Sequence, residues 1–224
     1  MADQLQRRGK IITIEGSDAS GKKTQTKILV EKAMLRNIPV VTMSFPRYET
    51  PTGQRIKKYL EGGFGKLNEV DVRFVIKLYA DDRLAVKGEV LNLLSEGKNL
   101  VFDRWIESNM GHQAAKFRKE DRQIAVDLIR RMEVVENGLP ESDLIVYLYL
   151  PFEFAQKAME AEGRKKDLHE SDREYLAKVE DTYEWLARRN KNWVRINCVE
   201  DGRRLTIEEV AEKIWEVAEP VLVR

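Results

Sequence analysis

The stretch Gly16-Ser17-Asp18-Ala19-Ser20-Gly21-Lys22-Lys23-Thr24 directly follows the apolar run Ile11-Ile12-Thr13-Ile14. Glycine, four residues, then Gly-Lys is the spacing of a loop that wraps phosphates. An apolar strand is expected to deliver the chain to this loop, and a helix beginning near Lys22 to carry it away. Glycines at 16 and 21 let the backbone turn tightly and come close to an anion. The backbone N–H groups then point inward, and the helix N-terminus adds its positive dipole end. Lys22 is expected to bridge the outer phosphates as a point charge. The next residue is ordinarily Ser or Thr, whose hydroxyl holds Mg²⁺, but here it is Lys23. An ammonium has three donors and no acceptor, so a protonated Lys23 is no metal ligand. Either it points away and leaves Mg²⁺ to water and Asp groups, or it supplies positive charge itself. Thr24 lies one position late, about 100° further round a helix, and does not simply substitute.

Composition narrows the class. The 224 residues suit one domain of ordinary size, with or without a mobile flap, and 42% apolar content is enough for a core. The 39 basic and 38 acidic residues nearly cancel, leaving a net charge of +1. That argues against a general nucleic-acid or membrane-surface binder, both of which favour a basic excess. The one cysteine, Cys198, allows no internal disulfide, which fits a reducing compartment. It reads as a small buried residue at a strand end, since nothing near it in sequence lowers its pKa. The first ten residues are polar and no apolar run approaches the length of a membrane span, so the chain reads as cytoplasmic.

Five short apolar runs read as buried parallel strands: 10–15, 39–45, 99–103, 143–149 and 193–197. They lack the polar alternation of strands with one wet face. Helical stretches separate them, at 22–36, 70–95, 120–136, 151–160, 171–189 and 206–218. Such alternation predicts an α/β doubly wound sheet with right-handed crossovers. Ligands of these sheets bind beyond the carboxyl ends of the strands, and those ends carry the charged groups. The first strand leads to Asp18, the second to Phe45-Pro46-Arg47, the third to Asp103-Arg104-Trp105. The fourth leads to Pro151 and, further on, to Arg164-Lys165-Lys166. Several cations converging on a phosphate loop suit a second phosphate facing the first.

From Lys10 to about Leu222 the chain resembles the thymidylate (dTMP) kinase family of P-loop kinases. The motifs stand in the family's order: Gly16-x-Asp18-x-x-Gly21-Lys22-x-Thr24-Gln25, Phe45-Pro46-Arg47, and Tyr79-Ala-Asp-Asp82-Arg83. Asp103-Arg104-Trp105 follows, with Ser108 and Gln113 after it. Arg164 to Glu170, Val179 and Tyr183 resemble the mobile lid and the helix behind it. The resemblance implies a three-layer P-loop kinase fold with a five-stranded parallel sheet. It also implies one kinase domain over 1–224 with a lid at about 161–169.

By the same resemblance, ATP lies on Gly16, Ser17, Asp18, Ala19, Ser20, Gly21, Lys22, Lys23 and Thr24. The phosphate of dTMP lies against Arg47 and Arg104, whose planar forks grip a phosphate by two bonds. Asp18 accepts from the sugar 3′-hydroxyl. Tyr79, or else Phe74, stacks on thymine, with Phe45 nearby, and Arg83 reaches the carbonyl edge of the base. Gln113 matches that edge with its amide, and Ser108 is a contact of the same kind. Asp103 orients Mg²⁺ through water or holds the acceptor phosphate. Ala19 stands where some members place an arginine, so the transition-state cation is expected from the lid. Arg164 is the first choice there, with Lys165 and Lys166 behind it. Catalytic roles thus fall on Asp18, Lys22, Arg47, Asp103, Arg104 and Arg164. The resemblance also implies a homodimer, and neither nucleic acid nor membrane as partner. Lys23 is the departure that keeps two alternatives open: another nucleoside monophosphate or deoxynucleoside kinase, and a nucleotide-binding homologue without catalysis.

Overall fold

The computed structural model describes residues 8–162 and 167–223. Among them, five strands form one parallel sheet in the order β2-β3-β1-β4-β5. They are β1 (Ile11–Gly16), β2 (Val40–Ser44), β3 (Asn99–Asp103), β4 (Leu144–Tyr149) and β5 (Trp193–Asn197). Successive residues of β1 face opposite layers, as the pleat requires. Ile12 and Ile14 pack with Leu29, Ile214 and Trp215, which belong to α1 (Lys22–Leu35) and α9 (Ile207–Leu222). Ile11 packs on the other side with Ile106, Ile129 and Tyr183. Those three come from α5 (Ile106–Ala114), α6 (Arg122–Arg130) and α8 (Arg173–Arg189). Helices on both faces make the three layers that the continuous apolar runs call for.

Register brings the chemistry level. Ile14 pairs with Asp103 across β1 and β3, and Ser44 pairs with Asp103 across β2 and β3. Gly16 pairs with Leu148. The carboxyl ends of β2, β3, β1 and β4 therefore open onto one crevice, where β1 lies between neighbours reached by opposite crossovers.

The structure departs from the sequence reading in its helices, at the sheet edges and in short added elements. The helix expected over 70–95 is two helices, α3 (Val72–Leu84) and α4 (Lys87–Ser95). The Val86 amide donates to the Arg83 carbonyl, closing a tight turn between them, and buried Val86 anchors the corner. The helix expected over 120–136 passes from α6 into a π-helical turn at Arg131–Glu136. β2 and β5 are the sheet edges and are partly exposed, whereas β1 is wholly buried. Elements outside the expected stretches include α2 (Pro51–Leu60) and a hairpin of β6 (Val199–Glu200) with β7 (Arg203–Arg204). α7 (Phe152–Glu162) completes the helices. Among the described residues, no helix is long and apolar enough to cross a membrane.

Candidate active site

The loop after β1 is shaped by glycines where a side chain has no room or the backbone is left-handed. Gly16 has φ +152°, and a Cβ there would meet the Leu148 carbonyl oxygen at 2.6 Å. Gly21, at φ +90°, caps α1. The hydroxyls of Ser17, Ser20 and Thr26 are buried with no hydrogen-bond partner among the described residues. Orphaned donors in such a loop suit an anion carrying many acceptor oxygens. Lys22 Nζ lies across the loop, donating to the Ser17 carbonyl at 2.7 Å, with Asp18 at 3.9 Å. Burial, and then the Arg104 charge, push the Lys22 ammonium down to about 8. Lys23 and Thr24, one and two residues further along α1, are both exposed. From the β7 side, Arg204 Nη2 donates to the Ala19 carbonyl at 2.8 Å.

Arg104 joins the loop to the second half of the site. Its Nη2 donates to Asp18 Oδ1 at 2.6 Å. Its Nη1 reaches the Ser108 hydroxyl at 3.2 Å and lies 3.4 Å from His112 Nε2. Burial would raise Asp18, but Arg104 and then Lys22 overcome it and hold the carboxylate well below its usual range. The Arg104 backbone has φ +68°, a left-handed conformation that costs a non-glycine residue about 1–3 kcal/mol. Asp103, one residue back at the end of β3, is half-buried and accepts from Ser44 Oγ at 3.3 Å.

Beyond Arg104 lies a cleft with Asp18, Phe45, Tyr79, Arg104, Ser108 and Gln113 among its walls. Gln113 is 1% exposed, and neither atom of its amide has a partner among the described residues. Asn109 also lines the cleft. Its Nδ2 donates to Glu133 at 2.8 Å and to the Ile76 carbonyl at 3.1 Å, while its Oδ1 has no partner among the described residues. Arg83 lines the cleft too, yet its Nε and Nη2 grip Glu133 at 2.5 and 2.7 Å. The wall thus sets two guanidiniums and two amides at fixed angles among aromatic rings, as small-molecule sites place a few polar groups in a largely apolar lining. His112 and His169 complete one side, stacked 5.5 Å apart. Burial drives both below the ordinary range, His169 to about 3, so both rings are neutral at pH 7.

The sequence-expected residues divide as follows. Asp18, Phe45, Tyr79, Arg83, Arg104, Ser108 and Gln113 share this cleft. Phe74 does not. It packs edge-to-face on Phe64 at 5.3 Å, against the small core of α2 and α3, so of the two aromatic candidates only Tyr79 reaches the cleft. Arg47 stands beside the cleft rather than in its wall. Its Nη2 donates to the Asp82 carbonyl at 3.1 Å, and Nε lies 3.5 Å from the Asp82 carboxylate. Buried Asp82 holds it there, because its own charge needs a cation. Arg164, Lys165 and Lys166 lie outside the described residues. Sequence reasoning gave no role to Glu15, Asn109, Glu133 or His169. Asn109 sits four residues before Gln113 on α5, and that helical spacing was the available signal. The other three act through distant partners that no local pattern reveals.

Metal chemistry has a narrow base. Among the described residues no group of three or more His, Cys, Asp or Glu side chains is placed to hold an ion. One half-buried carboxylate, Asp103, beside a phosphate loop fits Mg²⁺, which takes one or two carboxylates and completes its shell with phosphate and water.

Comparison with known proteins gives a consistent neighbourhood. The family model described as thymidylate kinase matches residues 14–214. The thymidylate kinase of Dictyostelium discoideum is 32% identical over 179 residues, which are 80% of this chain and 73% of that protein. The thymidylate kinase of Plasmodium falciparum is 29% identical over 210 residues, covering 92% and 91%. Among solved structures, the thymidylate kinase of Candida albicans superposes with a TM-score of 0.74 at 25% identity, covering 95% of this chain and 92% of that one.

Proposed function

The chain belongs to the thymidylate kinase family, and on that premise we propose that it transfers the γ-phosphoryl group of ATP to dTMP, giving ADP and dTDP. The observation that carries the acceptor is the Gln113 amide, buried and unpartnered in the wall of the cleft. An amide presents one acceptor and two donors, the complement of a carbonyl beside an N–H on a pyrimidine. Arg83 and Asn109, fixed by Glu133, support the same edge. Tyr79 offers its ring to the base.

The donor lies on the loop 16–24, with Lys22 leaving the Ser17 carbonyl for the outer phosphates. Asp18 and Arg104 face the acceptor together. Arg104 grips its phosphate and Asp18 takes the 3′-hydroxyl. The attacking atom is an oxygen already ionised, so positioning and charge matter more than a base. Arg47 serves the same phosphate after letting go of the Asp82 carbonyl. Asp103 would hold Mg²⁺ through water, and the ion would supply charge neutralisation on the transferring phosphates. We take residues 1–224 as one kinase domain, with a lid near 161–169 and Arg164 as its cation. The protein acts in the cytoplasm as a homodimer.

The test is ADP formation from ATP with dTMP as acceptor, titrated with Mg²⁺ against a chelator control. Turnover with dTMP, and little with thymidine, is expected. Because Lys23 is exposed, Lys23→Thr is expected to lower the Mg²⁺ needed for half-maximal rate and leave the saturated rate within about twofold. No turnover with dTMP while ATP binds would overturn the reading.

A further inference from the structure

Glu15 is a carboxylate with no exposure at all, at the end of the central strand and one residue before the phosphate loop. Buried carboxylates are rare unless their oxygens are fully engaged. Here three donors converge on one side chain. The Trp105 amide donates to Oε1 at 3.1 Å. The hydroxyls of Ser108 and Tyr183 donate to Oε2 at 2.8 and 2.9 Å. All three bonds require the carboxylate as acceptor.

Two of these partners flank Arg104. The Trp105 amide is the next peptide after the left-handed residue, and the Arg104 amide is itself tied to the Ile14 carbonyl at 3.2 Å. The backbone at Arg104 is therefore clamped from β1 on both sides, by a main-chain carbonyl and by the Glu15 side chain. The Ser108 hydroxyl, having given its proton to Glu15, presents its lone pairs to Arg104 Nη1 at 3.2 Å. The other end of the same guanidinium then meets Asp18 at 2.6 Å. Left to itself, a non-glycine residue leaves this backbone region, and an arginine side chain has many rotamers.

We propose that Glu15 is the positioning residue of the acceptor half-site: its carboxylate holds the left-handed turn at Arg104 and orients the Ser108 hydroxyl, and so aims the Arg104 guanidinium at Asp18 and the acceptor phosphate. Tyr183 extends the clamp to α8. The amide of Glu15→Gln has nearly the same shape but an NH2 donor in place of one acceptor oxygen. Ser108 must then accept from it, so the hydroxyl turns, one of the lone pairs offered to Arg104 is taken, and the aim is loosened.

This rests on the dTMP kinase reading only in taking the ligand of Arg104 to be the acceptor phosphate, so the test has a kinetic arm and a structural arm. In the kinetic arm, Glu15→Gln is expected to raise KM for dTMP about tenfold or more and to leave KM for ATP within about twofold. Partial loss of fold would lower the active fraction, and with it the apparent kcat, and leave both KM values where they were. Arg104→Lys should cost less in the Glu15→Gln background than in the wild type, because the aim is already loosened. Tyr183→Phe, which removes one of the three donors and keeps the ring, should shift KM for dTMP the same way by a smaller factor, and it serves if Glu15→Gln does not fold. In the structural arm, the crystal structure of the variant should show Arg104 off Asp18 and out of the left-handed region. Arg104 unmoved, or an unchanged KM for dTMP, overturns the inference. Wild-type protein inactive on dTMP overturns the functional reading instead, and the structural arm still decides the role of Glu15.

Discussion

Lys22 must carry a positive charge where burial and Arg104 both work against one. In the free protein its ammonium titrates near 8, down from 10.5. An incoming polyphosphate favours the charged form, so binding restores the proton. The depressed pKa belongs to the free enzyme and is therefore read in kcat/KM, not in kcat. As pH rises through about 8, free Lys22 becomes neutral and ATP is bound less well. We expect kcat/KM for ATP to fall above that point, approaching about tenfold per pH unit, while kcat at saturating ATP stays level. A kcat/KM flat to pH 9.5 would mean that Lys22 keeps its charge by other means. At this scale the sequence was informative about residues whose role is local. The phosphate loop, Asp18 and the Asp103-Arg104 pair were legible because their spacing along the chain is their chemistry. Glu15 was not, because its three partners lie about 90 to 170 residues away, and a glutamate ending an apolar strand has no signature for that. Arg47 and Phe74 were legible as residue types, but their resting contacts were not: Asp82 holds Arg47 beside the cleft and Phe64 draws Phe74 to the core of α2 and α3, both through tertiary packing.

Among the elements, α5 and α8 decide how tightly the site is framed. They cross at Gly111, where an added Cβ would come within 2.5 to 2.9 Å of the Tyr183 ring. That ring stacks on Tyr147 at 5.4 Å with 12° between planes, and its hydroxyl is bound to Glu15. Alanine is the better helix former by about 1 kcal/mol, so on an open helix Gly111→Ala would stabilise. Here the ring has Tyr147 behind it and nowhere to retreat. Overpacking of this kind costs about 1–3 kcal/mol, and the net effect expected is a lower Tm. Because the displaced ring carries a ligand of Glu15, KM for dTMP should rise in the same variant. A Tm equal to or above wild type would show that α8 slides freely over α5. The strand-helix alternation was readable because each strand is an apolar run between turn signals. The corner at Val86 was not, since the nearby glycine, Gly88, lies inside α4 and not at the turn itself. The π-turn after α6 hid for a similar reason. Its sequence is helical in period, and the extra residue places Glu133 toward Arg83 and Asn109, which no period reports.

At the scale of the whole molecule, stability should register which ligand completes the cleft. A ligand bound only by the folded state stabilises it by RT ln(1 + [L]/Kd), about 2.7 kcal/mol at a hundredfold excess over Kd. For a chain of this length each kcal/mol moves Tm by about 2–4 °C, so saturating dTMP should raise Tm by about 5–11 °C. The two rival kinase readings part here. If the acceptor is a monophosphate, Arg104 is preset against Asp18 to receive it, and the phosphate supplies charge-assisted bonds that thymidine lacks. Thymidine at the same concentration should then shift Tm by less than half as much. Arg104→Ala should bring the dTMP shift down toward the thymidine value and leave the thymidine shift nearly as it was. If the acceptor were a nucleoside, the ligands would give equal shifts in the wild type, and Arg104 would matter equally to both. The comparison needs no turnover, so it holds whatever Lys23 does to the metal. It also separates a kinase site from a bare nucleotide-binding one. In the kinase, ATP and dTMP occupy different halves joined by Asp18 and Arg104, and their shifts should add or exceed the sum. In a protein with one nucleotide site the two would compete, and the shift with both would match the larger alone.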